Sequence, residues 1–102
     1  MSGTRFVLDP AEGFEWDESK RQTNIAKHGI DFVDAVAVFD DPRHDTRASA
    51  VASSERRFIT IGAVRGLVIA VVFTIRNGKL RIISARVARR SERERYGQKS
   101  SG

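Results

Sequence analysis

Residues 81–96 read RIISARVARRSERERY, with six arginines against two glutamates. The whole chain carries +5, from eighteen Lys and Arg against thirteen Asp and Glu. Outside this stretch twelve basic residues face eleven acidic ones, so the positive charge is local. Solubility needs charge but does not need it concentrated, and a concentrated set of cations fits an anionic partner. Arginine stays charged and presents a planar fork to phosphate oxygens. With lysine, histidine, glutamate and tyrosine elsewhere in the chain, such a set suits phosphate chemistry on RNA. The 2′-hydroxyl is then the nucleophile. A base takes its proton, cations hold the charge building on the phosphate, and an acid protonates the leaving 5′-oxygen. DNA lacks that hydroxyl and is not cut in this way. The plain alternative is a solvated helix face.

Much other chemistry is excluded. There is no cysteine, hence no disulfide and no thiolate metal site. His28 and His44 lie in different segments, and no metal or other cofactor is expected. A phosphate-binding Gly-rich loop, a serine nucleophile elbow and an HExxH motif are all missing. Asp40, Asp41 and Asp45, around a proline, read as loop solvation. The composition, 40% hydrophobic and 30% charged over 102 residues, is that of one soluble domain. The longest apolar run, LVIAVVF at 67–73, is strand-sized, and the N-terminus lacks a secretory pattern, so a cytoplasmic protein without membrane contact is expected. A pI near 10.4 points to nucleic acid or an acidic protein as partner.

The elements that must position these residues can be read along the chain. Residues 1–13 form a loose lead-in, residues 14–99 the domain and residues 100–102 a frayed tail. FEW at 14–16 reads as a short strand. Asp17 caps a helix through DESKRQTNIAKH, and Gly29 stops it in a Schellman ending that brings Ile25 to Ile30. Lys27 and His28 fall in its last turn, where positive charge also suits the helix dipole. Asp31 caps a second helix with Phe32, Ala35, Val36 and Phe39 on one buried face. Residues 43–54 read as a polar loop. RRFITIGA (56–63), LVIAVVFTIR (67–76) and LRIISAR (80–86) are strands. Asn77-Gly78 predicts a type I′ hairpin turn, and Arg65-Gly66 closes the preceding hairpin likewise. A last helix is expected from Ser91, which has capping-box spacing to Glu94, to about Lys99.

The hairpins fix a register. Ile75 pairs with Leu80, Thr74 with Arg81, Phe73 with Ile82 and Ile69 with Arg86, while Arg57 falls beside Thr74 and Gly62 beside Ile69. Side chains alternate along strands. One face, with Phe58, Ile69, Val71, Phe73, Ile75, Leu80 and Ile82, is the core under the two helices, and Trp16 joins it. The other carries Arg57, Thr74, Arg76, Lys79 and Arg81, backed by Val68, Ala70, Val72, Ile83 and Ala85. Arg86 is expected on the core side, in the space that Gly62 leaves.

FEWDESKRQTNIAKHGIDFVDAVAVFDDP, RRFITIG and RIISARVARRSERERY, in this order, resemble the BrnT family of type II toxin–antitoxin toxins over residues 14–96. The resemblance implies an α+β, RelE-like fold: a compact antiparallel sheet with two N-terminal helices and a C-terminal helix. It further implies a metal-independent endoribonuclease that arrests translation. The implied partner is an antitoxin with a DNA-binding domain, often ribbon-helix-helix, forming a hetero-oligomer that binds its own promoter. The matching positions make Arg57, Arg86 and Arg90 phosphate binders and His28, Glu55 and Tyr96 proton-transfer candidates. Lys20, Lys27, Arg81 and Arg93 join them as nucleic-acid contacts, while Arg95 is expected to stay solvated. Two positions depart from the family. Arg89 stands where Thr or Ser is common, and Phe73 where His is often found. The alternatives are a non-catalytic binding module docking an acidic partner, and a direct DNA reader, for which no helix-turn-helix is visible.

Overall fold

The computed structural model describes residues 13–49 and 54–101. In chain order they form β1 (Phe14–Trp16), α1 (Glu18–His28), α2 (Phe32–Ala35), a 3-10 helix (Val36–Asp40), β2 (Asp45–Ala48), β3 (Phe58–Val64), β4 (Leu67–Arg76), β5 (Lys79–Val87) and α3 (Arg90–Ser101). The expected lead-in, apart from Gly13, and Gly102 of the tail lie outside the described residues. The sheet order is β1-β5-β4-β3-β2. All neighbours are antiparallel except β1, which runs parallel to β5. The α+β class holds, and β1 makes the sheet mixed because a helix, not a hairpin, follows it.

Local chemistry sets the element ends. Asp17 Oδ1 accepts the Ser19 and Lys20 amides at 2.8 and 3.2 Å and starts α1. Gly29, at φ 71°, ends it. Its amide donates to the Ile25 carbonyl at 2.8 Å, the single-bond αL closure instead of the expected Schellman pair. Both hairpin turns take the mirror-image form: Asn77 and Gly78 have φ 55° and 79°, Arg65 and Gly66 53° and 81°.

Three expectations are corrected. The second helix is α-helical only to Ala35 and then tightens to 3-10. Its fully buried residues are Phe32, Ala35 and Val38, a spacing of three that suits a 3-10 helix, while Phe39 is only half-buried. The tightening seats Val38 on the bare backbone of Gly62, where a Cβ would lie 2.8 Å from Val38 Cγ2. Val38, not Arg86, therefore occupies the space at Gly62. Next, the polar stretch read as a loop contains β2, an edge strand tied to β3 and joined through a 2.7 Å Thr46–Thr60 hydroxyl bond. Its polarity is that of an exposed edge.

The third correction is a β-bulge. The β4–β5 register runs as expected from Arg76↔Lys79 to Phe73↔Ile82, then shifts by one so that Val72 faces Ser84. Ile83 is the extra residue, and every side chain after it changes face. Ala85 turns into the main core, Val87 pairs with Ile69, and Arg86 faces Ala70 on the opposite side.

The sheet consequently has two apolar clusters. The main one holds Phe32, Ala35, Val38, Ile69, Val71, Phe73, Leu80, Ile82 and Ala85, with Phe14, Trp16 and Phe58 packed on it. The second, Ile61, Ala70, Ala88 and Tyr96, lies on the other face. α3 covers only that end.

Where β1 stops, the outer edge of β5 is closed by a side chain. The amide of Asn24, on α1, accepts from Ala85 N at 3.1 Å and donates to Ala85 O at 2.9 Å. It thus acts as one residue of a neighbouring strand. Asn24→Ala leaves that buried peptide unpaired and is expected to cost about 2 kcal/mol. A lowered urea midpoint with an unchanged slope checks it.

Candidate nucleic-acid interface

The face opposite the main core is built in rows across the strands. Phe58 packs into the main core, so Arg57, one residue earlier, points to the opposite face. Thr74 pairs with Arg81, and Arg81 with Glu15 on β1. The row therefore runs Arg57, Thr74, Arg81, Glu15. Glu55 reaches the same end, bound by Arg76 Nη2 at 2.9 and 3.1 Å. The next row is Arg47, Ile59, Val72 and Ser84, and the third is Asp45, Ile61, Ala70 and Arg86. Four residues of β4, roughly 13 Å, separate Thr74 from Ala70.

The arginines on this face differ in their partners. Arg81 donates to Glu15 at 3.2 Å. Arg86 makes a two-bond fork to Glu92, at 2.8 and 2.9 Å, with the two side chains only 19% and 11% exposed. Arg90 meets Glu94 at 3.1 Å in open solvent. Arg93 donates to the Ala88 carbonyl at 2.6 Å. Arg95, expected to be solvated, approaches Asp45 at 3.9 Å. Arg57 stands apart: its Nε is buried and has no hydrogen-bond partner among the described residues.

α3 forms one wall of this face and is pinned at its start and at its middle. It starts at Arg90, not Ser91, with Arg89 as the cap: the Arg89 carbonyl accepts from Arg93 N, and Glu92 Oε1 accepts from Arg89 N at 2.7 Å. This is the glutamate half of a capping box; arginine at the cap cannot supply the other half. In mid-helix Tyr96 is 8% exposed and donates its hydroxyl to Asp41 Oδ2 at 2.5 Å. The same oxygen accepts from Ala63 N at 2.8 Å. Asp41 is thus an internal acceptor and not the loop-solvating residue expected. Burial opposes its charge, but the bonds from Tyr96 and from the Ala63 and Arg43 amides win and lower its pKa. The same bond, with burial, raises that of Tyr96. The bond to Asp41 occupies the Tyr96 hydroxyl within the fold.

Glu92 has its pKa lowered from 4.5 to about 2, first by the bonds from Arg86, against the cost of burial. A depressed carboxylate stabilises the fold fully above its unfolded pKa and loses that contribution as pH falls. The window here is from about pH 4.5 down to about 2. Urea midpoints at pH 7 and pH 3 are expected to differ by less in Glu92→Gln than in the wild type.

A second cationic feature lies along α1. A groove of about 220 Å³ between α1 and β5 is lined by Ser19, Lys20, Thr23, Asn24, Lys27, His28, Ile83 and Ser84. The bulge at Ile83 forms its floor, and Ser84 connects it to the middle row. The structure therefore brings Glu55, Arg57 and Arg81 to one end of the face, and Lys20, Lys27 and His28 to its α1 flank. Arg86, Arg90, Arg93 and Tyr96 belong to the α3 wall. Asn24 and Arg47 are not singled out by the sequence, Asp41 reads there only as loop solvation, and Ser84 is given no role; of the four only Asn24 carries a signal, as a poor helix former in mid-helix.

A sheet with helices over one face and a single C-terminal helix across part of the other fits a compact RelE-like α+β fold. Among the described residues no helix is long and apolar enough to cross a membrane. The family model described as "Ribonuclease toxin, BrnT, of type II toxin-antitoxin system" matches residues 16–92. The chain belongs to this family of ribonuclease toxins, and an antitoxin is its implied partner. No match was found among curated proteins.

Proposed function

We propose that the chain is a metal-independent endoribonuclease that cleaves RNA by attack of the 2′-oxygen on the adjacent phosphorus. The observation that carries this reading is Arg57: a buried guanidinium nitrogen without an acceptor, in a row with Arg81 on the face that α3 leaves open. Buried donors are almost always paired, and a phosphate oxygen is the acceptor a guanidinium fork fits. The P–O5′ bond breaks as the 2′-O–P bond forms, giving a 2′,3′-cyclic phosphate and a free 5′-hydroxyl. The proton lost by the 2′-hydroxyl is balanced by one gained at the 5′-oxygen. Entering and leaving oxygens lie on opposite sides of phosphorus, so base and acid belong on opposite flanks. Glu55, on the β3 side, and His28, on the α1 side, take these two places. Arg57 and Arg81 hold the phosphate, and Lys20 and Lys27 guide the neighbouring backbone. Arg86, Arg90, Arg93 and Tyr96 position the α3 wall.

In this reading the toxin acts in the cytoplasm, arrests translation, and is neutralised by a DNA-binding antitoxin, with which it binds the promoter. End-group analysis tests the chemistry. Products are expected to end in 2′,3′-cyclic phosphate, and a single 2′-deoxy substitution at the cut is expected to block cleavage. Products with 5′-phosphate ends, or cutting of the deoxy substrate, would overturn it. Intact RNA with retained antitoxin binding would leave a binding module.

A further inference from the structure

Away from the arginine face the charge changes sign. α2, the 3-10 helix and the β3–β4 hairpin enclose a cleft of about 400 Å³, with Asp34, Asp40 and Asp41 against one cation, Arg65. A second hollow of about 160 Å³ shares Asp34, Val64 and Arg65 with it and ends at Leu67. The two form a continuous groove on the α2 side of the sheet. The carboxylates of Asp34 and Asp40 form no hydrogen bond or ion pair among the described residues, in a chain of net charge +5. The apolar lining is open as well: Val33 is 52% exposed and Leu67 46%, two of the three exposed large hydrophobic residues among those described. Exposed apolar side chains grouped in a concave site mark an interface. The carboxylates beside them select a basic partner and disfavour an acidic one.

We infer that this groove docks the antitoxin through an amphipathic segment. The segment's apolar side chains fill the two hollows beside Val33 and Leu67, and its Lys or Arg meets Asp34 and Asp40. The inference rests on the toxin reading, and it separates antitoxin docking from the RNA face: the partner grips the acidic back while the arginine row lies on the other side. An RNA would be repelled by the groove, and a second copy of the chain would have to bring its own basic surface to it.

Binding of the purified chain to the antitoxin encoded beside it tests this, with thermal melts confirming that each variant is folded. Leu67→Glu is expected to weaken binding at least 30-fold and Asp34→Lys at least 10-fold, both variants retaining RNA cleavage. Arg57→Ala is expected to bind within about threefold of wild type. If the groove variants bind normally and Arg57→Ala does not, the antitoxin sits on the RNA face and the inference is overturned. If Leu67→Glu instead abolishes self-association seen by sedimentation, with antitoxin binding unchanged, the groove takes a second copy and the inference is again overturned. A wild-type chain that binds no antitoxin would overturn the toxin reading with it, whereas normal binding by the groove variants alone would leave that reading intact.

Discussion

Arg57→Ala is expected to lower RNA cleavage by about 100-fold or more, the usual cost of losing one donor to a developing phosphate or oxyanion charge. Its melting temperature is expected to stay within about 2 °C of wild type. The two halves of this result have one cause. Arg57 Nε is buried without an acceptor among the described residues, so folding gains no hydrogen bond from it and its removal strands no acceptor. Arg57→Lys keeps the charge but not the planar fork and is expected to recover only part of the activity. Steady-state cleavage of a defined oligonucleotide, beside a thermal melt, checks both halves. Normal activity in a folded Arg57→Ala would move the phosphate site elsewhere on the molecule.

Arg86→Ala is expected to act through stability. Its guanidinium is forked onto Glu92, and Glu92 also accepts the amide of Arg89, the residue that caps α3. Removing the cation strands a carboxylate whose side chain is 11% exposed. The depression of Glu92 from 4.5 to about 2 corresponds to about 3 kcal/mol of stabilisation at neutral pH. Arg86 is the first cause of that depression and the Arg89 amide another, so losing the Arg86 share lowers the melting temperature of a chain this small by on the order of 10 °C. A double-mutant cycle with Glu92→Gln is expected to show strong coupling, with the second change costing far less once the first is made. A wild-type melt for Arg86→Ala, with cleavage lost, would instead return Arg86 to the phosphate.

Much of the fold is legible in the sequence because local signals agree with it. Asn-Gly and Arg-Gly turns set the register of β3, β4 and the first half of β5, and Asp17 and Gly29 bound α1. What was hidden depends on tertiary contact. No residue type announces a bulge at Ile83, yet that one residue turns Arg86 to the other face and Ala85 into the core. β2 is polar because it is an exposed edge, and therefore reads as loop. The 3-10 segment exists because Val38 must fit against Gly62. For the same reason the candidate site was legible in composition but not in arrangement. The run at 81–96 concentrates charge, yet Arg81, Arg86, Arg90 and Arg95 each face a carboxylate. The arginine whose buried Nε has no partner among the described residues lies before β3. The opening stretch is thus largely a wall and a scaffold, and it contributes Arg81 to the row.

The most direct test is incubation of the purified chain with total RNA in the presence of EDTA, beside Arg57→Ala. Degradation that survives chelation in the wild type and is lost in the folded variant is the expected result. RNA that stays intact under EDTA and is cut only when magnesium is restored would contradict the account, as would equal degradation by both proteins.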